Sequence, residues 1–218
     1  MLKFYYNPVS GNARRVWVAL LEKQIPFELI LVNLDGDQFD NDFTAVNSLQ
    51  RVPVIVDNGF RVIESLAILD YLEAKYPTRS LMPSNPENIA TVRMVEMVAV
   101  NELQLAMLLL TRPLVGLDAD NQKLDAAKDR VVSVMQLYEN LLGNHSYFVG
   151  EELTLADIVA GTLLPSLPLF GFSLGLYPRL KAWLERLAMR ESWQQTMPQP
   201  EVVEAALPNI RKILERRS

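Results

Sequence analysis

Three short stretches of this chain hold residue types that could do chemistry. Ser10 stands between an apolar run and a helix-patterned segment, so its hydroxyl would lie at a helix mouth, where exposed amides favour negative charge. Glu64-Ser65 opens a second helix-patterned segment in the same way. Val52-Pro53 leads into a strand-like run, and because proline cannot donate to a sheet, Pro53 should begin its strand. A serine hydroxyl can steady an anion simply by donating to it, without a base. Each stretch also has a plain structural reading: an N-cap serine, a capped helix start, an ordinary strand start. The chain contains no cysteine, which excludes a disulfide framework, a thiolate metal site and an enzymic thiol, so any sulfur chemistry must come from a ligand. The single histidine, His145, lies in Gly143-Asn144-His145-Ser146 and reads as a solvated loop residue, which argues against Ser-His-Asp catalysis.

The elements that must position these residues follow from periodicity. Leu2 to Tyr6 reads as a short buried strand stopped by Asn7-Pro8. From Asn12, Val16, Leu20 and Leu21 recur at helical spacing with Arg14, Arg15, Glu22 and Lys23 at other positions, and Pro26 marks the end. Phe27 to Val32 is a second strand, followed by an acidic, irregular loop. Val52 to Val56 and Phe60 to Ile63 flank Asp57-Asn58-Gly59 and predict a hairpin. Glu64 to Tyr76 is a helix that stops at Pro77. The order is β-α-β, then β-β-α, over residues 1–77, with a parallel crossover in the first half.

After Pro77 the composition changes. Residues 78–86 read as a linker and 87–218 as a helical bundle, with long helices over Ile89 to Leu110 and Lys123 to Leu142 and further ones at Leu180 to Met189 and Val202 to Glu215. Thr154-Leu155-Ala156-Asp157 opens another helix with a near capping box. Asn101, Glu102 and Gln104 interrupt the apolar run Val98 to Leu110, so no stretch approaches the roughly 20 residues of a membrane span. Half of the 218 residues are apolar, and the net charge of −5 gives no reason to expect a nucleic-acid partner. The start of the chain leads directly into a strand, so a cytoplasmic protein is expected.

Four segments in this order resemble the cytosolic glutathione transferase family, in its serine-type, phi-, theta- or beta-like branches and with a bacterial look: residues 6–16 (YNPVSGNARRV), 51–54 (RVPV), 63–68 (IESLAI) and 147–157 (YFVGEELTLAD). The resemblance covers nearly the whole chain. It implies an α/β thioredoxin-like N-terminal domain followed by an all-α helical bundle domain, a cis Val52-Pro53 bond, and a Val52 main chain that pairs with the cysteinyl part of glutathione like an added strand. Glu64 and Ser65 would take the γ-glutamyl end, Ser65 by donating to its carboxylate.

The resemblance favours Ser10 as the catalytic residue, donating its hydroxyl to the glutathione sulfur, with a hydroxyl of the Tyr5-Tyr6 pair, which also reads as strand core, as the alternative donor. Lowering a thiol from about 8.5 by about two units takes roughly 2.7 kcal/mol. A hydroxyl donating to a charged acceptor supplies on the order of 1.5 to 3 kcal/mol. A second, apolar substrate would lodge near Tyr5, Val9, Leu103 and Met107, of which the last two also read as core residues. The sequence departs from the serine-type pattern at Ser48, Gln50, Arg51 and Gln38-Phe39. Gln38 and Arg51 are therefore the candidates for holding the glycine carboxylate. The expectation is an enzyme that conjugates glutathione to small electrophiles as a homodimer, with glutathione as co-substrate, no other cofactor, no metal, and no nucleic-acid or membrane partner. A non-catalytic ligand-binding module, or a glutathione-dependent isomerase or peroxidase, shares the same residues.

Overall fold

A computed structural model describes residues 1–33 and 36–216. The chain divides into two units, one of Met1–Leu81 with Ser192–Asn209, the other of Met82–Glu191 with the chain from Ile210 onward.

In the first unit, β1 (Leu2–Tyr6) leads through a turn into α1 (Gly11–Glu22) and then β2 (Phe27–Leu31), which runs parallel to β1. The hairpin is β3 (Val54–Asp57) and β4 (Phe60–Ile63), turning through Asn58 and Gly59 at φ 49° and 86°, the positive-φ pair that fits the twist of a two-residue turn. The sheet order is β2-β1-β3-β4, with β1 and β3 antiparallel, and α3 (Ser65–Lys75) follows β4. The sequence expectation of βαβ followed by ββα holds. Two elements differ from it: a 3-10 turn (Asp37–Phe39) and α2 (Asn41–Val46) lie where an irregular loop was expected. A six-residue helix that buries only Phe43 is too short to display a period. The core joins Leu2, Phe4, Val16, Leu20, Val54, Ile55, Ile68 and Leu72.

Arg14, Arg15 and Lys23, which the periodicity assigns to the polar side of α1, are buried. Lys23 Nζ, its side chain wholly enclosed, meets Glu73 Oε1 of α3 at 2.7 Å and the Arg79 carbonyl at 3.3 Å. Arg14 Nε donates to Thr196 Oγ1 at 3.3 Å and its Nη2 to the Trp193 carbonyl at 3.4 Å, both in α9 (Glu191–Thr196), a short helix that sequence periodicity missed. Long cationic stems can line apolar surface while their ends find partners from remote sequence, which local patterning does not display.

In the second unit, α4 (Pro86–Val98), a π-helical turn (Ala99–Leu103) and α5 (Gln104–Leu114) form one continuous helix of 29 residues. Its length and composition alone would suffice to cross a bilayer, a test that a core helix also passes. The polar residues break the apolar run in sequence without breaking the helix. Val92, Val95, Ala99, Leu103 and Leu110 are buried, the pattern of a core helix. The unit continues with α6 (Asn121–Leu142), α7 (Leu155–Gly161) and α8 (Pro178–Ala188), while α10 (Pro200–Glu215) bridges the sequence of both units. Tyr138, Phe148 and Trp183 stack edge to face with centroids 5.1 Å apart. At the α7 start, the fully buried Asp157 accepts the Thr154 N–H and hydroxyl at 2.9 Å, the Phe148 N–H at 3.1 Å and Trp183 Nε1–H at 2.9 Å. Burial pushes its carboxyl up, and these four donors oppose that rise.

Candidate active site

Strand register brings the three chemical stretches to one end of the sheet. Tyr5 of β1 pairs with Val54 of β3, and Val54 pairs with Ile63 of β4. The loop leaving β1 toward Ser10, the Val52-Pro53 entry to β3 and the Glu64-Ser65 exit from β4 therefore meet at that edge. Asn7 shapes the first of these. Its buried side chain donates to the Val32 carbonyl at 2.9 Å and accepts the Val9 N–H at 3.1 Å, and its own carbonyl takes the Ser10 N–H at 3.1 Å. Ser10 is the N-cap of α1, with Oγ accepting the Ala13 N–H at 3.2 Å. The cap uses an acceptor lone pair, so the hydroxyl proton remains available to a ligand.

Val52 and Pro53 are buried and joined by a cis peptide. Neither the N–H nor the C=O of Val52 has a hydrogen-bond partner among the described residues. Buried main-chain groups are nearly always paired, so an unpaired donor and acceptor on one residue mark a place where an extended chain can add. Glu64 holds φ 66° and ψ 120°, a conformation that ordinary side chains rarely adopt, and its side chain makes no cap bond to α3. The first-turn amides of α3 are consequently left for a ligand. Ser65 is buried, and its Oγ accepts from Arg15 Nη1 at 3.5 Å. Arg14 lies one turn beyond Ser10, and burial lowers its guanidinium to about 10, so it remains a cation at neutral pH.

The N-terminal domain of glutathione S-transferase matches residues 4–80 and its C-terminal domain residues 98–191. The chain belongs to the glutathione S-transferase family. It is 32% identical to glutathione S-transferase 3 of Zea mays over 207 residues, covering 90% of this chain and 93% of the relative. It is 30% identical to maleylacetoacetate isomerase of Rattus norvegicus over 87% of this chain and 88% of that one. Among solved structures, a glutathione S-transferase from Methylobacillus flagellatus with glutathione bound superposes with a TM-score of 0.80 at 25% identity, over 91% of this chain and all of that one.

The remaining candidate residues of this transferase family enzyme are placed less uniformly. Gln38 is buried, and its Oε1 accepts the Gly36 N–H at 3.2 Å, while the Arg51 side chain is exposed. Tyr5 is half-buried with its ring 6.0 Å from that of Phe43. Val9 is half-buried in the Asn7 turn. Leu103, in the π-helical turn, and Met107 are buried in the helical unit. Sequence reasoning overlooked Arg15 and Asn47. Arg15 looked like a surface cation, and Asn47 sits in a loop whose partners become visible only once the chain turns.

Proposed function

We propose that this enzyme binds glutathione along the sheet end described above and delivers its thiolate to small, mostly apolar electrophiles by addition or displacement. The carrying observation is the unpartnered main chain of Val52, set at the same sheet edge as the Ser10 hydroxyl and the uncapped start of α3. In this reading Val52 pairs with the cysteinyl peptide, and the Ser65 amide and hydroxyl hold the γ-glutamyl carboxylate. Glu64 accepts from the γ-glutamyl amino group. Arg51, exposed near that edge, takes the glycine carboxylate together with the Gln38 segment. Ser10 donates to the sulfur and so favours thiolate over thiol without removing a proton itself. Bringing thiolate and electrophile together supplies most of the remaining rate enhancement.

Steady-state assays with aryl halides and isothiocyanates, with wild type and Ser10→Ala, test this directly. Turnover that falls in the variant supports it; no turnover with any electrophile counts against it, and tight glutathione binding without turnover in both would favour a non-catalytic module. Similarity to maleylacetoacetate isomerase supports a second reading, in which the same thiolate adds reversibly to a cis-enone and releases the trans isomer. Conversion of a cis-enone at constant total glutathione distinguishes that reaction from conjugation. We also infer a cytoplasmic, detoxifying homodimer. Exposed Met94, Met97, Leu105 and Leu108 along the helix 86–114 support a second copy as the partner. Light scattering on Leu105→Glu should show monomers where wild type shows dimers.

A further inference from the structure

We propose that Asn47 is a positioning residue for glutathione, acting by fixing the plane of the Arg51-Val52 peptide. This rests on the reading that Val52 pairs with glutathione through its main chain. Asn47 is the C-cap of α2, buried, with its N–H on the Phe43 carbonyl at 2.8 Å. Its side chain spans the loop that follows. Oδ1 accepts the Leu49 N–H at 3.0 Å, and Nδ2 donates to the Arg51 carbonyl at 2.7 Å. Its own carbonyl takes the Gln50 N–H at 2.9 Å, which closes the turn around Gln50 at φ 56°.

A trans peptide is planar, with its C=O and N–H pointing in opposite directions. Holding the Arg51 oxygen toward Asn47 therefore directs the Val52 N–H away from the loop, where it has no partner among the described residues. The donor that glutathione would use is thus oriented before the ligand arrives, and its ordering is not charged against binding. Asn47 is itself anchored from outside the loop. Arg61 of β4 donates through Nη1 to the carbonyls of Ala45 and Val46, holding the end of α2 against the sheet.

Asn47→Asp keeps an acceptor for the Leu49 N–H and removes the donor to Arg51. Its KM for glutathione should rise about tenfold, the scale of a lost buried hydrogen bond. The turnover number and the KM for the electrophile should stay within about threefold of wild type, whereas Ser10→Ala should lower turnover instead. A purely structural role would reduce the amount of active protein and its melting temperature and leave KM for glutathione unchanged, and that result overturns the proposal. In ligand-free wild type, NMR should find the Asn47 side-chain amide protons protected from exchange; rapid exchange overturns the proposal even if the variants fail to fold. Calorimetry that finds no glutathione binding by wild type would overturn the functional reading as well, whereas wild-type binding with an unaffected Asn47→Asp overturns the positioning role alone.

Discussion

Arg15 Nη1 donates to Ser65 Oγ at 3.5 Å, which ties the helix that begins behind Ser10 to the helix that begins behind Glu64. The two helix mouths are separate in sequence and become one electrostatic environment through this buried cation. Because Ser65 uses an acceptor lone pair on Arg15, its hydroxyl proton stays free for a carboxylate, as the Ser10 proton stays free for a sulfur.

Ser10 performs two roles that substitution can separate. Ser10→Gly should preserve helix capping to within a few tenths of a kcal/mol while removing the hydroxyl donor. Its turnover should fall about ten- to a hundredfold, the scale of a hydrogen bond to a charged acceptor. The bound glutathione thiol should titrate higher, so the loss is greater at pH 6.5 than at pH 9. Thiolate absorbance against pH measures the shift, and an unmoved titration with unchanged turnover would remove Ser10 from the mechanism.

Glu64 is held at φ 66° in a conformation that costs a non-glycine residue about 1 to 3 kcal/mol. Glu64→Gly relieves that cost and gives back about 0.5 to 1 kcal/mol through a more flexible unfolded chain. The variant should melt at a higher temperature and bind glutathione more weakly. Calorimetry and thermal unfolding on the same preparation check both halves, and a lower melting temperature would show that the backbone there is relaxed.

Lys23 and Glu73 form an enclosed ion pair whose two ends are unequally supported. Besides Lys23, Glu73 accepts the Leu81 N–H at 3.1 to 3.2 Å and the Ser80 hydroxyl at 2.8 Å, whereas Lys23 has beyond Glu73 the Arg79 carbonyl. Glu73→Ala strands a buried ammonium and should cost about 3 to 5 kcal/mol. Lys23→Ala leaves a carboxylate that still has donors and should cost less, about 1 to 3 kcal/mol. Denaturant unfolding gives the order, and the reverse order would refute this account.

Tyr71 and Tyr76 donate to the same Asp57 oxygen, at 2.9 and 2.7 Å. Burial first, then the bond to Asp57, raises Tyr71 above its usual 10 and Tyr76 to about 12. The folded pKa lies above the unfolded one, so this support is complete below pH 10 and lost as pH rises through about 12. Tyrosinate absorbance should therefore lag in the folded protein, and Tyr76→Phe should flatten the loss of stability over that pH range.

Strand and helix order, the hairpin at Asn58-Gly59 and the helix start at Thr154 can be read from residue pattern alone, because each depends on neighbours within a few residues. Period and turn chemistry are local, and so they are legible. Folding sets Arg15 against Ser65, buries Arg14 and Lys23, lets Asn47 grip Arg51, and leaves Val52 with a donor and an acceptor unpaired among the described residues. Those facts depend on partners brought together by strand register and helix packing, and a polar side chain carries no local sign of whether water or a distant carbonyl will satisfy it.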